Sequence, residues 1–189
     1  MPLPSHDDRS GERQSLDLII DWHRGIVKSL VLHRITIQHA IRTGGSVGAR
    51  FVSMTDDEAL EYFDAQRREL NLLTVLNLVA STEASIRIDY FRRVRGRFKD
   101  TLALAYRAWH KELSASKQLR PDFDEGGILE VLKGCNVMDN NIVGQYRECL
   151  RPRHWVGHGR YWARPVEADR FDPDDVYARA SALLEAMPN

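Results

Sequence analysis

Cysteine is scarce, with Cys135 and Cys149 the only two in 189 residues, so a disulfide-stapled scaffold is excluded and a reduced, cytoplasmic compartment is the expectation. An excess of charge is missing too. Lysine and arginine together number 27, aspartate and glutamate 27, and this balance excludes coating of nucleic acid or anionic membrane by overall charge. There is no charged-then-apolar leader and no apolar run of membrane length, so no membrane partner is expected. Alternation of apolar and polar residues with period two is also lacking, which removes the signal for strands. At this length one domain suffices to bury a core.

What is present is a helical period nearly throughout. Leu16, Ile19, Ile20, His23, Val27, Leu30, Val31, Arg34, Ile35 and Gln38 recur at spacings of three and four and predict a helix over about 15–41. The glycines of RTGGSVGARFVSM then break it. A second helix opens at TDDE, where Thr55 is placed to cap Glu58. Its apolar series, Leu60, Phe63, Leu70, Leu73, Leu76, Val79, Ala80, Ala84, Ile88 and Phe91, meets no Gly or Pro before about Arg95. That length predicts either one long spine or a kink near ASTEAS.

A third helix is expected from Lys99 to Leu119, with Leu102, Ala105, Tyr106, Trp109 and Leu113 on one face. Shorter pieces follow over 128–133, after a cap at Asp139, and from Pro152 as a first-turn residue. A last helix begins with Asp172 as cap and Pro173 in the first turn. The expected architecture is all-α: an antiparallel helix bundle with long helices and extra short C-terminal ones. It spans residues 15–189 as one domain, and residues 1–14 read as a flexible tail.

Charge is balanced overall but clustered locally. Arg87, Arg92, Arg93, Arg95, Arg97 and Lys99 stand against Asp89 alone, and the stretch RPRHWVGHGRYW, 151–162, holds three arginines, two histidines and three aromatic rings. His154 and His158 would share a helical face, but two ligands fall short of a zinc site and the flanking arginines repel a cation, so no metal is expected. Phosphate suits the stretch better. Arginine's planar fork grips two phosphate oxygens, and histidine exchanges protons near neutrality. RNA carries its own nucleophile in the 2′-hydroxyl, so a base, an acid and a cation suffice for cleavage without a cofactor. Trp155 and Trp162 read as packing residues, and the cysteines as structural.

Arg153-His154-Trp155-Val156-Gly157-His158 resembles the R-x4-6-H motif of HEPN domains, all-α ribonucleases and nucleotide-binding proteins of toxin–antitoxin, phage-defence and CRISPR systems. The resemblance implies a metal-independent endoribonuclease in which Arg153 and His158 act on the scissile phosphate and His154 assists. It also implies a homodimer with two motifs facing one cleft, and an antitoxin or other defence-system partner. Glu83, in ASTEAS, is the acidic residue expected to orient Arg153 or His158, with Tyr161 as a further phosphate contact. Arg151, Arg160, Arg92 and Arg93 are the expected RNA-backbone contacts. The alternative reading is a non-catalytic module that binds a nucleotide, RNA or a partner protein. The spacing recurs at Arg34 and His39, and its longer form at Arg147 and His154. The polar residue after Arg153 and the glycines around His158 set the 153–158 match apart.

Overall fold

The computed structural model describes residues 13–157 and 172–188, and His158, Arg160, Tyr161 and Trp162 lie outside them, as do the first twelve residues of the expected tail. Among the described residues every regular element is helical: α1 (Leu16–Thr43), α2 (Asp56–Arg95), α3 (Thr101–Glu112), α4 (Ala115–Leu119), α5 (Ile128–Gly134), α6 (Asn140–Glu148), α7 (Leu150–Gly157) and α8 (Pro173–Ala186), with one 3-10 turn at Ala49–Phe51. The fold is an all-α bundle. No described helix is long and apolar enough to cross a membrane.

α1 and α2 form an antiparallel hairpin. Gly44, at φ +69°, closes α1 in a left-handed conformation that side-chain-bearing residues disfavour. Arg42 pairs with Asp56 beside the turn, His23 Nε2 meets Asn71 Oδ1 at 2.8 Å farther along, and Asn77 donates to Gln14 at 3.0 Å at the open end. Thr55 and Glu58 make the expected reciprocal capping box at the start of α2. Near the turn a small second core gathers Ile37, Phe51, Ala59 and Phe63.

α2 runs 40 residues without a break, so the spine is realised and the kink is not. It packs against α1, α3, α7 and α8, which changes which residues are buried. Leu73 and Ala80, expected inside, face solvent, whereas Leu72, Val75, Leu78, Ile86 and Tyr90 are buried. A helix surrounded on several sides has no single apolar stripe to read. Three of its buried hydroxyls turn back on their own helix, Thr74, Thr82 and Ser85 donating to the carbonyls four residues earlier at 2.8, 2.8 and 2.9 Å, while Ser81 donates to the Gln14 carbonyl. Ile35 on α1 is likewise 55% exposed, and Ile37 takes the buried place expected for it.

The expected third helix is divided. α3 ends at Glu112, and α4 begins after Ser114. Gln118 bridges the break by donating to the carbonyls of His110 and Leu113 at 3.0 and 3.2 Å, which satisfies acceptors left over at the end of α3. α6 stops at Glu148 for a reason visible in the chain. The next helical bond to that carbonyl would need an N–H at position 152, and proline has none. α7 restarts at Leu150 with Pro152 in its first turn, where a missing N–H has no intrahelical role. Asp139 and Asp172 cap α6 and α8, and Pro173 opens α8, as expected.

The main core joins Ile19 of α1, Val75 to Tyr90 of α2, Tyr106, Leu129, Tyr146 and Leu183. Cys149 lies within it, and burial pushes its thiol up to about 12, which leaves it protonated and chemically quiet. Cys135 and Cys149 are both free thiols.

Candidate functional site

Three segments enclose a cleft of about 880 Å³. α2 contributes Glu83, Arg87, Phe91 and Arg95, one row at i+4 spacing, with Ile88 and Arg92 alongside. α7 contributes Leu150, Arg153 and His154, and the connection between α4 and α5 closes the third side with Leu119 to Asp124.

That connection is held by its own backbone. The carbonyls of Asp122 and Phe123 accept from the N–H groups of Ile128 and Leu129 at 3.0 and 2.9 Å. A Cβ on Gly127 would fall 2.4 Å from the Asp122 carbonyl oxygen, so only glycine permits this close turn. Phe123 is thereby fixed as a buried ring at the cleft.

The center of the site is a carboxylate shared by two guanidinium groups. Arg153 Nη2 lies 2.7 Å from Glu83 Oε2, an ion contact without good hydrogen-bond alignment. Arg87 donates from Nε to Glu83 Oε1 at 2.9 Å, and its Nη2 stands 2.8 Å from the same oxygen. Arg87 Nη1 also donates to the Pro121 carbonyl at 2.8 Å, which ties the loop to α2. The Glu83 side chain is 12% exposed and those of Arg87 and Arg153 30% and 31%, so the cations reach the cleft while the anion sits behind them.

Arg92, Arg95 and Arg120 complete five arginines around the cleft, against Glu83, Asp122 and Asp124. Two of the three acids are answered from other residues. Lys117 pairs with Asp122, and Arg147 Nε reaches Asp124 at 2.6 Å. The cleft is therefore a cationic bowl whose apolar floor carries Ile88, Phe91 and Phe123. Guanidinium groups stand over both rings, Arg87 at 5.2 Å from the Phe123 centroid and Arg95 at 5.5 Å from that of Phe91.

The residues singled out in the sequence separate here. Arg153, His154, Glu83 and Arg92 line the cleft, and His154 is exposed. Arg151 lines an adjoining depression with Arg147 and Glu148 instead. Arg93, expected to contact RNA, is 2% exposed and enclosed by Asp89 at 2.7 Å, Asp100 at 2.8 Å and the Pro188 carbonyl. One residue along a helix is a turn of about 100°, which carries Arg93 from the face of Arg92 into the bundle. Arg147, in the competing spacing match, is bound to Asp124 and Glu130. Trp155 packs against Leu72 as expected of an aromatic ring on a helix. His158, Arg160 and Tyr161 fall outside the described residues. Arg87, Arg120, Phe91 and Phe123 were missed as site residues. The i+4 spacing of Glu83 and Arg87 was a legible sign for one of them, and the others depend on how a distant loop folds back.

The fold and the cleft define the class as an all-α helical bundle with an arginine-lined, partly apolar pocket. No family model, curated protein or solved structure matches the chain.

Proposed function

We propose that the protein is a HEPN-like, metal-independent endoribonuclease that works as a homodimer in a toxin or defence system of a reducing cytoplasm. The observation that supports this reading most is the Glu83 carboxylate holding Arg153 and Arg87 at the mouth of the cationic cleft. Among the described residues one negative charge is divided there between two guanidinium groups.

The reaction follows from RNA chemistry. The 2′-oxygen attacks the adjacent phosphorus, the bond to the 5′-oxygen breaks, and a 2′,3′-cyclic phosphate and a 5′-hydroxyl result. Histidine is the side chain suited to take the 2′-hydroxyl proton and to return one to the leaving oxygen near neutral pH. His158 is assigned those transfers, with His154 assisting. Arg153, whose one ion pair among the described residues is Glu83, has N–H groups left to meet the negative charge that builds on the phosphorane. Glu83 acts through Arg153 and is a positioning residue.

RNA incubated in EDTA with the purified protein tests the reading. Cleavage with cyclic phosphate ends is expected, and it is lost in Arg153→Ala and His158→Ala proteins that keep the helical circular dichroism of the wild type. Unchanged cleavage by both variants overturns it. Affinity for RNA that depends on Arg153, with no product from varied RNAs, assigns the non-catalytic binding module instead.

A further inference from the structure

The cleft has more in it than a phosphate site needs. Phosphate is small and hydrophilic, and two arginines on a carboxylate would hold it. Here the arginines surround a floor of Ile88, Phe91 and Phe123, and the volume of about 880 Å³ lies in the range of pockets that enclose a whole small molecule. Apolar surface beside a cationic cluster calls for a ligand that joins an anion to a planar or apolar body.

The placement of the cations says which body. Arg87 and Arg95 stand over the Phe123 and Phe91 rings themselves. An acyl chain laid on this floor would press against guanidinium groups and gain little. A nucleobase gains from both, since its π-face stacks on aromatic rings and on arginine planes alike. We infer that the cleft takes one unstacked nucleobase of a single-stranded RNA against Ile88, Phe91 and Phe123, while Arg87 and Arg153 hold the phosphate attached to it. This rests on the ribonuclease reading and sharpens it: the substrate is unpaired at this nucleotide, because a base inside a duplex cannot be stacked on the floor.

Binding of nuclease-resistant 2′-fluoro RNA probes to the full chain tests the inference without depending on cleavage. A single-stranded probe is compared with the same probe made abasic at one position in turn, with a fully paired duplex, and with dodecyl phosphate as competitor. Removing the base at one position should weaken binding by at least about tenfold, and the duplex should bind as poorly as the abasic probe. In Ile88→Trp, which fills the floor at a residue outside the main core cluster, the ratio of intact to abasic affinity should fall toward one. Phe91→Leu should lower that ratio partway. Equal affinity for intact and abasic probes at every position overturns the base pocket and, if Arg153→Ala abolishes that binding, leaves the phosphate reading standing. Tighter duplex binding overturns it, as does full displacement of the probe by dodecyl phosphate at lower concentration than by a mononucleotide. Absence of any Arg153-dependent RNA binding removes the ribonuclease reading as well.

Discussion

Two arginine–carboxylate knots sit on α2, three turns apart, and they are built in opposite proportions. At Arg93, one cation is surrounded by Asp89, Asp100 and the Pro188 carbonyl, with the side chain 3% exposed. At Glu83, one carboxylate is shared by Arg87 and Arg153, both about a third exposed. In the first knot the guanidinium is consumed and joins the end of α2 to the start of α3 and the end of the chain. In the second, among the described residues, two guanidinium groups share one carboxylate and face a cleft. The same residue types are enclosed within the bundle in one place and exposed at a cleft in the other, and they differ in the ratio of charges as well as in exposure.

The comparison breaks first, and with the largest effect, at the buried knot. Arg93→Ala leaves two half-buried carboxylates and a carbonyl without their cation and should cost about 3–5 kcal/mol, a loss of roughly 10 °C in Tm by thermal unfolding. Arg153→Ala should do the reverse: catalysis or RNA affinity falls about a hundredfold or more, while stability changes by about 1 kcal/mol or less, since Glu83 keeps Arg87. Comparable Tm losses in the two variants would erase the distinction.

Glu83→Gln tests the shared carboxylate more gently. It preserves shape and removes the charge that aligns both guanidinium groups, so kcat should fall about tenfold with KM nearly unchanged. Loss in KM alone would mark Glu83 as a contributor to binding only. The smallest effect is a pH dependence at the Arg93 knot. Burial raises the Asp100 carboxyl, but the Ala103 N–H and Arg93 outweigh it and hold it below the usual carboxylate range. A depressed pKa means that this contribution is present above the unfolded value and is lost as pH falls through the folded one. The acid limb of a stability curve below about pH 4 should therefore be shallower in Asp100→Asn than in the wild type.

Much of the helix order was legible because its signals are local. Thr55 with Glu58, Asp139, Asp172 with Pro173, and Pro152 each act on backbone groups within four residues. The division of the third helix was not legible, since a continuous apolar face ran across Leu113 and the Gln118 bridge appears only once the turn is made. The stripe on α2 misled for a different reason. A single stripe implies one side facing the core, yet Leu60 and Leu73 are exposed while Thr74, Ser81 and Ser85 are buried among enclosing helices. At the site, Arg153 and Glu83 stand out in the sequence separately, and Arg93 falls with Arg92 in one basic run because composition does not register a helical turn.

By itself the sequence determined where most of the helices start and stop, that the fold is all-α, and that cationic residues gather in two short stretches. Periodicity, capping and charge are properties of neighbours along the chain. Only the tertiary structure decided which arginines meet which carboxylates, and that Phe91 and Phe123 come to share a floor. Those pairings join residues far apart in the chain, and their geometry is set by how α2, α7 and the loop closed by Gly127 pack together.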